Sequence, residues 1–208
     1  MGQQRQGTKS DLLDCLDQYA PSTKDVSCVD VKILDGAAII HMLKPGGSRT
    51  FEDYLQLVFL PYITEQLKSV ERLDVIWDRY LPDSLKQSTR EKRMQLGNAV
   101  RQRVTSASPM PTYWESFLRI AENKDELFQY LSESMRTYDT VGKVIISIHS
   151  ESVIITGQNT TMHMESLQPC SHEEADTRIL LHVANCAQQG YKRIAICTVD
   201  TDVVVLAV

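Results

Sequence analysis

Three short apolar runs in this chain each stop on an aspartate, and that repeated ending constrains the fold more than any other feature. They read Val-Lys-Ile-Leu-Asp35, Asp-Val-Ile-Trp-Asp78 and Ala-Ile-Cys-Thr-Val-Asp200, the last followed at once by Thr201 and Asp202. Runs of this length, halted by a turn-forming residue, predict β-strands, here at 29–34, 73–77 and 194–199. Two more apolar runs, 144–148 and 153–156, predict strands split by a polar turn. Helical patterns fall between them: 51–67 with an interruption at Pro61, a charged stretch at 84–104, 113–135, and an amphipathic 171–188 closed by Gly190. In 113–135, Asn123 ahead of Glu126 predicts a helix start. Strands alternating with helices imply parallel pairing through right-handed crossovers. The expected class is therefore α/β, a mainly parallel central sheet flanked by helices on both faces.

In such a sheet the carboxyl ends of the strands share one edge, where ligands bind. Asp35, Asp78, Asp200 and Asp202 are expected to gather there. A single aspartate after a strand is also a good helix cap, and Asp-Gly a good turn. Four acids at one edge repel one another unless a cation sits among them, and hard oxygen ligands suit Mg²⁺ or Mn²⁺. In 171–188, Asp176 falls on the apolar stripe of Ile179, Leu180, Val183 and Ala187. A carboxylate on the core side of a helix is costly unless paired or metal-bound. Glu174, three residues after Ser171, reads as half of a capping box or as a further ligand.

Composition narrows the function classes. Apolar residues at 42% and charged residues at 24% describe an ordinary globular chain, so disorder is not expected. No apolar run approaches the roughly 20 residues that span a bilayer. The N-terminal stretch lacks the apolar core of a secretory signal, and Gln6 stands where myristoylation wants Ser or Thr. Five scattered cysteines form no disulfide framework and read as small buried hydrophobes in a reducing compartment, so an intracellular protein, nuclear or cytoplasmic, is expected. A net charge of −5 argues against nonspecific coating of nucleic acid. The distribution is uneven, however: between Lys86 and Arg103 six basic residues face a single acid, Glu91. Lys86, Arg90 and Arg93 fall on one helical face, directly after the Asp78 strand end, as a candidate phosphate clamp, with Arg101 further along. Tyr80 and Tyr113 are candidate base-stacking platforms.

Taken in order, these segments resemble the flap-endonuclease branch of the PIN-like nucleases. The matching patches are Lys-Ile-Leu-Asp35-Gly, Val-Ile-Trp-Asp78, Ser-Leu-Lys86-Gln-Ser-Thr-Arg90-Glu-Lys-Arg93, Glu174-Ala-Asp176 and Thr-Val-Asp200-Thr-Asp202. The resemblance implies a PIN-like domain over 28–208 preceded by a polar segment at 1–27. It implies a two-ion Mg²⁺ or Mn²⁺ site on Asp35, Asp78, Glu174, Asp176, Asp200 and Asp202, with Lys86 and Arg93 gripping the scissile phosphate of DNA or RNA. Arg90 and Arg101 would extend the nucleic-acid contact. The chain departs from the family in carrying Asp176 where glutamate is usual, and 106–164 reads as an insertion with no counterpart. The run 203–208 has no polar closing segment, so a domain truncated at its C-terminus is expected. The rival reading is a catalytically inactive PIN-like module that binds nucleic acid or protein. The Asp200-Thr-Asp202 strand end also resembles the nucleophile motif of haloacid-dehalogenase-type phosphatases, which place it first in the chain rather than last. No P-loop or GxGxxG pattern points to a nucleotide-driven function.

Overall fold

The strand opening the sheet, β1 (Val31–Asp35), alternates its apolar side chains between two cores, as a strand covered on both faces must. Val31 and Ile33 enter one cluster and Leu34 the other, all fully buried. In the computed structural model, which describes residues 11, 14–16, 28–79, 100–150, 152–157, 167 and 175–207, β1 is followed by α1 (Gly36–Met42). The chain continues through α2 (Phe51–Tyr54), a π-helical turn (Leu55–Phe59) and α3 (Leu60–Lys68) into β2 (Arg72–Ile76). After residue 100 come α4 (Trp114–Phe117), α5 (Ala121–Ser134), a 3₁₀ turn (Met135–Thr137), β3 (Val144–His149) and β4 (Ser152–Thr156). The chain closes with α6 (Ala175–Gln188), β5 (Ile194–Cys197) and α7 (Thr201–Ala207).

The five strands form one sheet in the order β4-β3-β2-β1-β5. β1, β2, β3 and β5 are parallel, which bears out the α/β expectation. β4 departs from it: it pairs antiparallel with β3, because only two residues separate them and a parallel return needs a crossover of a dozen or more. Of 106–164, the described residues 106–150 and 152–157 supply α4, α5, β3 and β4, and so belong to this same sheet and its core. That core joins α1 to α5 through Phe51, Tyr54, Trp77, Trp114, Phe117 and Phe128. On the other face, α6 and α7 cover Val31, Ile33 and Ile76 through Ala175, Ile179 and Val203. Each buried Val, Ile or Phe among them stabilises the fold by about 1.5–3 kcal/mol.

Several local expectations need correction. Pro61 does not end the 51–67 helix. It lacks an amide hydrogen, and the ladder just before it widens to a π turn in which the Leu60 amide bonds the Leu55 carbonyl, so the helix runs on to Lys68. The 84–104 helix does not reach its expected end, since 100–104 is irregular backbone; 80–99 lie outside the described residues. Stretch 113–135 is two helices, and Asn123 is not a cap. It sits inside α5, buried, where its side chain bonds the backbone of Gln102, Val100 and Phe117 and so stitches the irregular 100–104 segment to the helix. Cys186 is buried as expected and burial pushes its thiol up to about 12, but Cys15 and Cys28 are exposed. Among the described residues no helix is long and apolar enough to cross a membrane.

Candidate carboxylate site at the strand ends

The chain runs β1, β2, β3 in one direction across the sheet and then returns to place β5 on the far side of β1. The reversal of strand order lies between β1 and β5, and in open α/β sheets ligands bind at such a reversal, outside the carboxyl ends of the strands. Register brings the acids to that edge. Leu34 pairs with Cys197 and Asp35 with Ile76, so Asp35 lies beside Thr198 on one side and two residues short of Asp78 on the other. Asp35, Asp78 and Asp200 thus share one edge.

Asp35 is only 6% exposed. One carboxylate oxygen caps α1 by accepting the Ala38 amide at 3.1 Å, and the other accepts the hydroxyl of Thr198, the residue after β5, at 3.0 Å. Burial pushes its carboxyl above the ordinary value and the Asp78 charge pushes the same way, against the opposing hydrogen bonds from Ala38 and Thr198. Asp78 accepts the Ala175 amide at 3.2 Å, tying the β2 end to the start of α6. Asp200 accepts the Asp202 amide at 2.8 Å and gives its own amide to the Thr198 hydroxyl at 3.0 Å, a tight turn that starts α7. Asp176 and Asp202 lie half-buried in the first turns of α6 and α7.

Two packing contacts fix this edge. Trp77, immediately before Asp78, is fully buried, stacks on Phe128 at 4.8 Å and donates its indole N–H to Ser147 at 3.1 Å. Gly36, immediately after Asp35, lies under that indole, and a Cβ built there would sit 2.2 Å from the ring. Only glycine lets the β1 end approach the Trp77 ring so closely.

The donor chemistry fits a hard divalent ion: the acids supply only oxygen, and the carboxyl of Asp35, raised chiefly by burial, also feels the negative charge of Asp78. Among the described residues, however, no three His, Cys, Asp or Glu side chains converge closely enough to hold one. Glu174, Lys86, Arg90, Arg93 and Tyr80 lie outside the described residues. Arg101 is already engaged within the fold. It pairs with Glu126 and donates to Asn123 at 3.0 Å. Tyr113 is exposed. A polar cleft of about 230 Å³ around His149, Asp125 and Glu133 opens on the α5 side, since His149 shares a face of β3 with Ser147 and Ile145. It is therefore separate from Asp35 and Asp78, which point toward α6.

The buried face of α6 also differs from expectation. It comprises Ala175, Arg178, Ile179, His182, Asn185 and Cys186, while Leu180 and Val183 are half-buried and Ala187 is exposed. The helix is turned because β2 places Arg72 and Asp74 beneath it, both fully buried. Sequence patterning missed these residues, since it counts a polar side chain as an outward one. The signal available was Arg72-Leu-Asp74 within a strand that is otherwise apolar. Thr198, the hydroxyl that bridges Asp35 and Asp200, was also missed. No family model matches the chain, and neither a curated protein nor a solved structure matches it significantly.

Proposed function

We propose that this chain is a PIN-like domain of the flap-endonuclease type that hydrolyses phosphodiesters of DNA or RNA with two Mg²⁺ or Mn²⁺ ions. The reading rests above all on Asp35, set at the strand-order reversal, hydrogen-bonded to Thr198 beyond β5 and repelled by Asp78 beyond β2. Such ions lower the pKa of a bound water and offset charge on the attacking and leaving oxygens. Asp35 and Asp78 would hold them, with Glu174, Asp176, Asp200 and Asp202 completing the oxygen set. Thr198 and Ala38 orient Asp35 through its two oxygens, and Ala175 orients Asp78. Lys86 and Arg93 would grip the phosphate and stabilise the charge that develops on it, and Arg90 would hold the neighbouring strand. Arg101, paired with Glu126 and donating to Asn123 while its side chain stays 45% exposed, would extend the nucleic-acid contact.

The test is cleavage of labelled single-stranded and branched DNA and RNA. Cutting is expected with Mg²⁺ or Mn²⁺, none with EDTA, and none by Asp35→Asn under any ion. Binding without cutting under every divalent ion would replace the enzyme by an inactive nucleic-acid-binding module. Neither binding nor cutting would remove nucleic acid as the partner.

A further inference from the structure

Beneath α6, away from the carboxylate edge, lies a buried polar network that the chemistry above does not use. Arg72 forks onto Asp74, with Nε to Oδ1 at 2.7 Å and Nη2 to Oδ2 at 2.6 Å. Its remaining nitrogen, Nη1, reaches up to α6 and donates to Asn185 at 2.8 Å and Gln189 at 3.0 Å. The second tie to the helix is His182, whose Nδ1 lies 2.5 Å from Asp74 Oδ2. Arg72, Asp74 and His182 are each no more than 1% exposed. His182 Nε2 has no hydrogen-bond partner among the described residues, so the core keeps this ring at a cost.

We infer that Arg72, Asp74 and His182 are positioning residues whose network sets the register of α6 along β2 and so delivers Ala175 and Asp176 to the carboxylate edge. The inference rests on the carboxylate-site reading for its functional consequence, though the register itself is measurable without it. The apolar contacts of Ile179 and Cys186 with Val31, Ile33 and Ile76 resist separation but not sliding, because burial is non-directional. A slide by one residue moves the helix about 1.5 Å. That breaks the bonds to His182, Asn185 and Gln189 together and leaves the Arg72 and Asp74 charges short of partners in the core. The network sits about two to four turns along from the Ala175 amide that bonds Asp78, so it acts at a distance through a rigid helix. Setting registry is the best-attested use of a buried ionic cluster.

An apolar replacement separates positioning from simple stabilisation. In Arg72→Met/Asp74→Leu/His182→Leu the charges leave together, and well-packed apolar residues of similar volume fold as stably or more so. The expected result is an unfolding midpoint equal to or above wild type, with exchange of the Ala175 amide faster by about tenfold or more. Mn²⁺ affinity, read by thermal shift, should fall by a similar factor. A folded triple variant whose Ala175 amide stays as protected as in wild type would overturn the inference. His182→Phe is the second arm in case the triple variant does not fold. It keeps a ring and the Arg72–Asp74 pair while deleting one tie, and an unaltered Ala175 amide there would count equally against positioning. If wild type itself ignores Mn²⁺ while Ala175 responds as expected, the metal reading fails and the register assignment stands.

Discussion

Asp35 accepts hydrogen bonds from Ala38 and Thr198 in a nearly closed setting while Asp78 repels it. Burial, with the Asp78 charge pushing the same way, raises its carboxyl above the ordinary 3.8 against those hydrogen bonds. A carboxyl raised on folding adds stability in its protonated form, fully below the unfolded value of 3.8, and loses that contribution as pH rises through the folded value. At neutral pH the metal-free protein thus carries a strained carboxylate. Asn caps a helix as well as Asp, so Asp35→Asn keeps the α1 cap and drops the charge. Urea melts without metal should show the variant more stable than wild type at pH 7, with the gap closing toward pH 4. A variant less stable at pH 7 would mean that the Thr198 bond outweighs the repulsion. One residue on, Gly36→Ala sets a methyl into the Trp77 ring, which Phe128 and Ser147 hold in place. Overpacking of this kind costs about 1–3 kcal/mol, to be seen as a lower urea midpoint. Asp35 and Asp78 were legible as strand-end acids, yet their partners Thr198 and Ala175 were not, since each hydrogen bond joins segments distant in sequence.

At the scale of elements, β1, β2, β3 and β5 were legible because an apolar run halted by Asp or a turn carries its own signal. Their ends lie within two residues of expectation: β1 starts at Val31 because Asp30 is taken up by Arg193 and the amide of Lys192. The face of α6 was not legible. Patterning put Val183 and Ala187 inward, and the structure turned Arg178, His182 and Asn185 inward instead, because Arg72 and Asp74 of β2 need partners there. Burial alone would raise the Asp74 carboxyl, but the His182 and Arg72 hydrogen bonds outweigh it and hold Asp74 below the usual range. The basic segment that follows β2 belongs to the same scale. If Lys86 and Arg93 act on the phosphate in the transition state, Lys86→Ala and Arg93→Ala should each lower kcat by about 10²-fold or more while leaving KM within a few fold. A rise in KM at constant kcat would reassign them to substrate holding.

At the scale of the whole molecule, ions that bind only the folded state stabilise it by mass action. At a hundredfold excess over Kd the gain is about 2.7 kcal/mol, which for a domain of this size raises Tm by roughly 5–10 °C. Mg²⁺ or Mn²⁺ should produce such a shift in wild type and none in Asp35→Asn/Asp200→Asn. A wild type whose Tm ignores both ions would leave these acids as helix caps, the role that Asp35 and Asp78 already perform for Ala38 and Ala175. The sequence by itself determined the α/β class, the strands and the acids that end them, because hydrophobic run length and turn residues are local properties. Only the tertiary structure decided that β4 folds back on β3, that Arg101 pairs with Glu126, and that α6 buries a polar face over Arg72 and Asp74. Each of these depends on which side chains meet across tens of residues, and a buried charge is tolerated only where its partner arrives.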